Sequence, residues 1–295
     1  MPGDHARILR GVAGVYLLHN PETGFKGKAK PRGLFRKFDQ SPLPGDLVEY
    51  ESSDDPSIPW VITSILERKN ELRRPPLANL DKLFLTAAAE LPRADYHYLD
   101  RMLACCLFEG IEPILLLTKC DLPGTEEAID YFKAYYGPAG FTYYLVSLED
   151  DAILPHLREH IRGNLVAFAG QSGVGKSTLM NRLLGNVHLE TGAISQQGGR
   201  GRQTTRSTEI YAVDDGYLAD TPGFQSLNIE TLDLEGPDLL LAYPELRAIQ
   251  QECRFADCHH LGELGCAVDQ ARIHPDRLEI YRKLRRDLDE YDKYR

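Results

Sequence analysis

The chain has 295 residues, 42% hydrophobic and 26% charged, with a formal net charge of −10. That balance is too apolar for a disordered chain and too charged for a membrane protein, and no apolar run reaches the roughly 20 residues that span a bilayer. At roughly 150 residues per domain about two domains are expected, and the overall acidity argues against indiscriminate nucleic-acid binding without excluding a local basic patch.

The first residues carry Asp4 and Arg10 around a short apolar stretch, which does not read as a signal peptide, so a cytoplasmic location is expected. Residues 1–69 read as short strands. Ile8 to Leu18 is apolar, Phe25 to Lys37 alternates basic and apolar residues, and Asp46–Tyr50 and Trp60–Leu66 follow turn signals at Pro44-Gly45 and Pro56/Pro59. Short strands with this punctuation predict a small β-barrel. Residues 1–40 hold eight Lys/Arg against three acidic residues, a local net charge of about +5. A solvated strand face and a barrel face that touches nucleic-acid phosphates are both open readings of this arm.

Arg68 to Pro76, with paired prolines and a charge run, reads as a linker. Beyond it the pattern changes. Apolar strands are predicted at Lys82–Ala88, Ile114–Leu117, Tyr143–Val146 and Leu165–Ala169, with helices at 94–109, 126–136, 155–162 and 177–184. Strands alternating with helices predict a parallel, doubly wound α/β domain. After about Gln225 the alternation stops. A helix is expected over Leu239–Gln251, then a Cys/His segment, then an amphipathic helix from Asp276 to Arg295. Its apolar side is Leu278, Tyr281, Leu284 or Arg285, Leu288 and Tyr291, with Arg282, Lys283, Arg285 and Arg286 mostly opposite.

The sharpest signal is Gly170-Gln171-Ser172-Gly173-Val174-Gly175-Lys176-Ser177, followed by Thr178. It matches G-x-x-x-x-G-K-[ST] between a predicted strand and a predicted helix, the context the phosphate loop requires. The glycines let main-chain N–H groups wrap the phosphates, Lys176 reaches the β- and γ-phosphates, and Ser177 ligates Mg²⁺. The loop does not separate ATP from GTP. Thr118-Lys119-Cys120-Asp121, at the end of a predicted strand, resembles the [NT]-K-x-D guanine-reading motif, whose carboxylate accepts from guanine N1–H and the 2-amino group. Ser147 ends the next strand as a backing loop for the base, and a solvated turn is the plain alternative for this motif.

Asp220-Thr-Pro-Gly223 fits the D-x-x-G switch, with Asp220 holding Mg²⁺ through water and the Gly223 N–H on the γ-phosphate. Between it and the phosphate loop, residues 198–206 are rich in glycine and arginine. Thr205, or next Thr204, would close on Mg²⁺ there, unless the stretch is a basic loop with no metal role. The motif order is permuted, because Asp121 and Ser147 precede Gly170. Joining the usual termini and reopening the chain elsewhere preserves the domain, because termini often lie close together. Phe224 stands where many GTPases place a glutamine that orients water, so slow intrinsic turnover is expected. Gln203 is a candidate replacement on side-chain chemistry only, and no catalytic residue is assigned.

Cys253-x4-Cys258-x-His260-x5-Cys266 supplies three thiolates and an imidazole, a closed structural zinc set with no position left for a catalytic water. His259 could substitute, but Cys258-x-His260 turns two side chains the same way in an extended segment. Free or redox cysteines are the alternative. Cys105 and Cys106, like Cys120, lie in apolar context and read as small buried hydrophobes.

Together these features resemble the ribosome small-subunit-dependent GTPase A family of circularly permuted bacterial GTPases. The resemblance rests on the basic N-terminal barrel, T-K-x-D ahead of the phosphate loop, G-R-G-R-x-T-T, D-T-P-G-F and C-x4-C-x-H-x5-C. It implies an OB-fold RNA-binding barrel over 1–69, a permuted GTPase domain over 70–226 and a mostly helical zinc domain over 227–295. It also implies GTP hydrolysis stimulated by the 30S subunit, a role in late 30S maturation, binding to 16S rRNA, and Mg²⁺ with the nucleotide. A monomer without membrane attachment is expected. The family usually carries His before the switch threonines, where this chain has Gln203, and the third threonine of the usual run is Arg206. Two other readings compete: a non-catalytic, nucleotide-gated RNA-binding module, motivated by Phe224, and a P-loop ATPase or kinase in which Thr118–Asp121 is incidental.

Overall fold

The computed structural model describes residues 5–32, 41–185, 208–221, 224, 232 and 234–292. The chain divides into two compact units, one of Met1–Lys82, Leu154–Phe168 and Met180–Ser226, the other of Leu83–Ile153, Ala169–Leu179 and Leu227–Arg295.

The first unit contains a closed barrel of five strands: β1 (His5–Val12), β2 (Val15–Asn20), β3 (Phe25–Pro31), β4 (Leu47–Ser52) and β5 (Trp60–Ile65), in the order β1-β2-β3-β5-β4. The barrel expected from the sequence is present. The apolar stretch Ile8–Leu18 forms two antiparallel strands, reversed at Ala13-Gly14, where both residues have positive φ. Inward positions hold Ile8, Leu18, Ala29, Val48 and Ile62. Phe25 stacks on Tyr50 at 4.6 Å, and Trp60 meets both rings edge-on. Because side chains alternate along a strand, the same register turns Lys26, Lys28 and Lys30 outward, and all three are exposed. Arg7 and Arg10 are occupied within the unit, Arg7 over the Tyr217 ring and Arg10 on Glu209 at 2.8 Å. Of the basic arm, Arg36 and Lys37 lie outside the described residues.

The segment read as a linker is packed. Glu71–Arg73 (β6) and Pro76–Ala78 (β7) pair as an antiparallel hairpin. Arg68 forks onto the fully buried Asp46 at 2.7 and 2.8 Å, and Asn70 exchanges hydrogen bonds with the Leu80 backbone. Charged and amide side chains here satisfy buried polar groups, so a composition that suggests a tether instead supports a fixed connection. The same unit holds β11 (Leu165–Ala169, through Phe168), β12 (Glu209–Val213) and β13 (Gly216–Asp220). There β11 runs parallel to β13, and β12 runs antiparallel to it. Helix α3 (Leu154–Ile161) turns Leu157 and Ile161 inward.

In the second unit, β8 (Lys82–Ala88, from Leu83), β9 (Glu112–Thr118) and β10 (Tyr143–Leu145) lie in the order β10-β9-β8, with β9 and β10 parallel. All but the first residue of β8 and of β9 are buried, as continuous apolar runs covered on both faces require. Helix α1 (Tyr96–Phe108) starts where the Asp95 carboxylate accepts from the Tyr98 N–H at 3.0 Å. It buries Leu99, Met102, Leu103, Cys105 and Cys106. Helix α2 (Glu126–Tyr136) carries Glu126 and Glu127 in its first turn, complementing the dipole, and buries Phe132, Tyr135 and Tyr136.

The helix expected over Leu239–Gln251 is broken. A 3-10 segment (Gly236–Ala242), a single α-turn (α5, Pro244–Arg247) and a second 3-10 turn (Gln250–Glu252) replace it. Pro244 cannot donate a helical hydrogen bond and displaces the residue before it, so Tyr243 sits at φ −127, ψ 66. The final helix, α6 (Pro275–Asp292), opens on Pro275. Its buried positions are Arg277, Tyr281, Leu284, Arg285 and Leu288, while Tyr291 is 40% exposed. Of the two residues left open, Leu284 and Arg285, both belong to the packed side, and the expected face gains Arg277 and loses Tyr291.

Candidate functional site

Residues 170–179 and the Thr118–Asp121 and Ser147 loops all lie in the second unit. Gly170 has φ +144, and a Cβ there would stand 2.0 Å from the Thr86 carbonyl oxygen. Gly175 has φ +97, and its Cβ would stand 2.7 Å from a Leu148 methyl. Both positions exclude a side chain, so the loop wraps as the phosphate-loop pattern requires. Val174 is buried; Ser172, Gly173, Ser177 and Thr178 are exposed, and Gln171 is half-buried. Lys176 opens helix α4 (Lys176–Leu184) and donates from Nζ to the carbonyls of Gly170, at 2.8 Å, and Gln171. Burial lowers its pKa. An ammonium held on carbonyl oxygens over a glycine-lined loop at a helix N-terminus is suited to an anion.

The T-K-x-D segment is fastened to this loop. Thr118, fully buried, donates its hydroxyl hydrogen bond to the Val174 carbonyl and lies 3.0 Å from that of Ala87. Lys119, at φ +58, donates from Nζ to the Leu91 carbonyl. Asp121 accepts from the Leu148 N–H at 2.8 Å, which orients its carboxylate. Leu148 thus holds the carboxylate through its backbone while its side chain lies against Gly175, a role that no sequence motif signals. Ser147 accepts from the Glu149 N–H at 3.1 Å, within its own turn. Cys120 is half-buried with its sulfur 3.1 Å from the Leu117 carbonyl, and burial raises its pKa.

In the first unit, Asp220 is the last residue of β13, opposite Glu209, and is exposed. Phe224 is buried. Gln203, Thr204, Thr205, Arg206 and Gly223 lie outside the described residues.

The second chemical centre gathers Cys253, Cys258, His260 and Cys266, whose ligand atoms all lie within 4.8 Å of one another. His260 Nδ1 is 3.7, 3.9 and 3.3 Å from the sulfurs of Cys253, Cys258 and Cys266. Tetrahedral zinc, with Zn–S of about 2.3 Å and Zn–N of about 2.0 Å, sets that separation at about 3.5 Å, so the donor set fits the ion. The Ala267 N–H points at Cys253 Sγ from 3.3 Å. Burial pushes the Cys258 thiol up to about 12, and raises Cys266 as well; burial lowers His260. The structure selects His260 over His259, but not through an extended segment. His260 has φ +56, which turns its ring into the cluster, while His259 meets Arg285 through Nε2 at 3.1 Å.

A third cluster has no counterpart among the sequence motifs. Asp100 on α1 is fully buried and receives four donors: Tyr135, Tyr136, Tyr243 and Arg277, at 2.8, 3.0, 2.9 and 2.5 Å. Arg277 also donates to Glu245 at 2.8 Å and to the Ala242 carbonyl, and its guanidinium lies 4.4 Å from the Tyr243 ring centroid. Burial pushes the Asp100 pKa up, while Arg277 and the tyrosine hydroxyls pull it back. Burial disfavours the Arg277 cation, but Asp100 and Glu245 outweigh it and raise its pKa. The available signal was spacing: 277, 281, 284 and 288 share one helical face, so Arg277 had to be buried with a partner.

With this geometry in hand, comparisons place the chain. The profile described as RsgA GTPase matches residues 65–230, and that described as RsgA N-terminal domain matches 6–57. A Ruminiclostridium cellulolyticum protein named small ribosomal subunit biogenesis GTPase RsgA is 35% identical over 293 residues, covering 98% of this chain and 95% of the relative. The crystal structure of YjeQ from Thermotoga maritima superposes with a TM-score of 0.79 at 28% identity, covering 96% of this chain and 98% of that one. The crystal structure of YloQ, described as a circularly permuted GTPase, gives 0.79 at 31% identity, covering 98% and 96%.

Proposed function

This chain is a GTPase that belongs to the RsgA family, and on that premise we propose that the small ribosomal subunit stimulates its hydrolysis of GTP during late 30S maturation. The observation that carries the nucleotide reading is the Thr118–Val174 hydrogen bond, which ties the base-reading segment to the phosphate loop within one compact unit. Gly170 to Thr178 bind the phosphates; Thr118, Lys119, Cys120, Asp121 and Ser147 form the guanine pocket. Asp121, preset by the Leu148 N–H, discriminates guanine from adenine because only guanine offers the paired donors. Ser177, Thr205, Asp220 and Gly223 make up the magnesium and switch set. Bound Mg²⁺ supplies charge neutralisation at the β- and γ-phosphates.

Family membership displaces the ATPase and non-catalytic readings. Phe224 still bears on rate: a buried ring cannot orient water, so intrinsic turnover is slow and the ribosomal partner supplies the missing order. The barrel over 1–69 meets 16S rRNA, a reading supported by Lys26, Lys28 and Lys30 exposed at alternate positions of β3. The region 70–226 carries the GTPase chemistry, and 227–295 is stapled by zinc at its Cys₃His centre. A cytoplasmic site of action fits this role. Among the described residues no helix is long and apolar enough to cross a membrane.

The test is GTP turnover by the purified protein alone, with 30S, and with 50S as control. A large increase with 30S only is expected. Fast turnover alone with no response to 30S would defeat the proposal.

A further inference from the structure

We propose that Gln250 is a positioning residue of the metal centre, fixing His260 in the tautomer whose Nδ1 lone pair faces the three sulfurs. The proposal rests on the reading of Cys253, Cys258, His260 and Cys266 as a metal site. Gln250 opens the 3-10 turn three residues before Cys253. One end of its amide lies 3.1 Å from the Ala256 carbonyl and 3.1 Å from the Cys258 carbonyl. Carbonyl oxygens only accept, so that end is the NH₂ group. The other end is therefore the amide oxygen, and it lies 2.6 Å from His260 Nε2.

An amide oxygen also only accepts, so Nε2 carries the hydrogen. A neutral imidazole has one N–H, which leaves Nδ1 with its lone pair toward Cys253, Cys258 and Cys266. The opposite tautomer would set two lone pairs against each other at 2.6 Å and aim an N–H at the sulfurs. The His260 backbone is held separately, its carbonyl accepting from Arg282 Nε at 3.2 Å. Gln250 therefore governs the ring's protonation pattern, while α6 governs where the residue stands. Histidines that ligate metals usually donate their other N–H to such an acceptor, and losing it costs about 10- to 100-fold in affinity.

The experiment uses the full chain, stripped of metal, titrated with cobalt(II) and then zinc(II) against a competing chelator. Histidine ¹⁵N NMR of the zinc form reports which ring nitrogen is bound. Gln250→Met removes the acceptor and both donors. Gln250→Glu keeps an acceptor for Nε2–H but cannot donate to Ala256 or Cys258. Expected are a fall of about 10- to 100-fold for Q250M, with loss of the protected Nε2–H signal, and near-normal affinity with Nδ1 bound for Q250E. If Q250E falls as far as Q250M, or falls that far when Q250M does not fold, the amide acts by clamping the loop carbonyls and the proposal is wrong. Wild-type affinity in Q250M would also overturn it. Failure of the wild type to bind either ion would remove the metal reading itself, a result separable from those that concern Gln250 alone.

Discussion

In the phosphate loop, the groups that would meet a ligand are largely main chain, held by two glycines that exclude a Cβ, by Thr118 at the end of β9 and by the Leu148 side chain against Gly175. In the C-terminal segment the reverse holds. Ahead of α6 its backbone is mostly short turns, and side chains fix it: three cysteines and His260 at one place, and Arg277 of α6 with Asp100 and Glu245 at another. A site made of backbone needs little core beyond its own strands and loops. A segment with few regular elements must draw its order from side-chain contacts, here a cluster able to hold a metal and a buried ion cluster.

Metal removal should break this comparison most strongly. Chelation should release backbone amides of 253–266 to hydrogen exchange while leaving exchange at 170–176 unchanged; an equal rise in both would show that the two regions are one cooperative element. Acid should act in the same direction. With the metal-free Cys258 and Cys266 thiols raised, binding at neutral pH must expel their protons, whereas the lowered His260 is already neutral. Affinity should therefore rise with pH, by on the order of 10²-fold per unit for these two thiols, and fall on acidification, as read by chelator competition.

Next come changes to the nucleotide side. Lys176→Ala should reduce turnover by on the order of 10²- to 10³-fold without shifting the unfolding midpoint by a comparable margin. Asp121→Asn should cost GTP on the order of 10²-fold in affinity and shift preference toward xanthine nucleotides, whose C2 carbonyl can accept from the amide. Unchanged base preference would detach Asp121 from guanine reading.

Arg277→Ala should destabilise by about 3–5 kcal/mol in urea denaturation, because it strands Asp100 and Glu245 as buried charges. Replacing Arg277, Asp100 and Glu245 together by apolar residues of similar volume should recover most of that loss. The smallest effect expected is that of Thr118→Val, about 1–3 kcal/mol for leaving the Val174 carbonyl without its donor, accompanied by weaker binding of a fluorescent GDP analogue.

Much of the architecture was written in local pattern. The barrel strands, the alternating strands and helices, the phosphate loop and the Cys₃His set follow from period, turn residues and ligand spacing, all of which act over a few residues. Where local reading failed, a distant partner was decisive. Arg68 and its neighbours resemble a tether until Asp46 and Leu80 are seen beside them. Arg285 can be read onto either side of the last helix until His259 and Asp289 are found at its end. Spacing alone picked His260 over His259, correctly, but for an extended segment that the left-handed φ at His260 replaces. The sequence by itself determined which motifs the chain carries, because motifs for phosphate cradling, base reading and metal ligation each demand particular residues at fixed short spacings. Only the tertiary structure decided which charges are buried, how His260 is turned onto the sulfurs and what holds each site in place, because those outcomes depend on groups far apart in the chain, such as Arg277 and Asp100 at 177 residues, meeting in a low-dielectric interior.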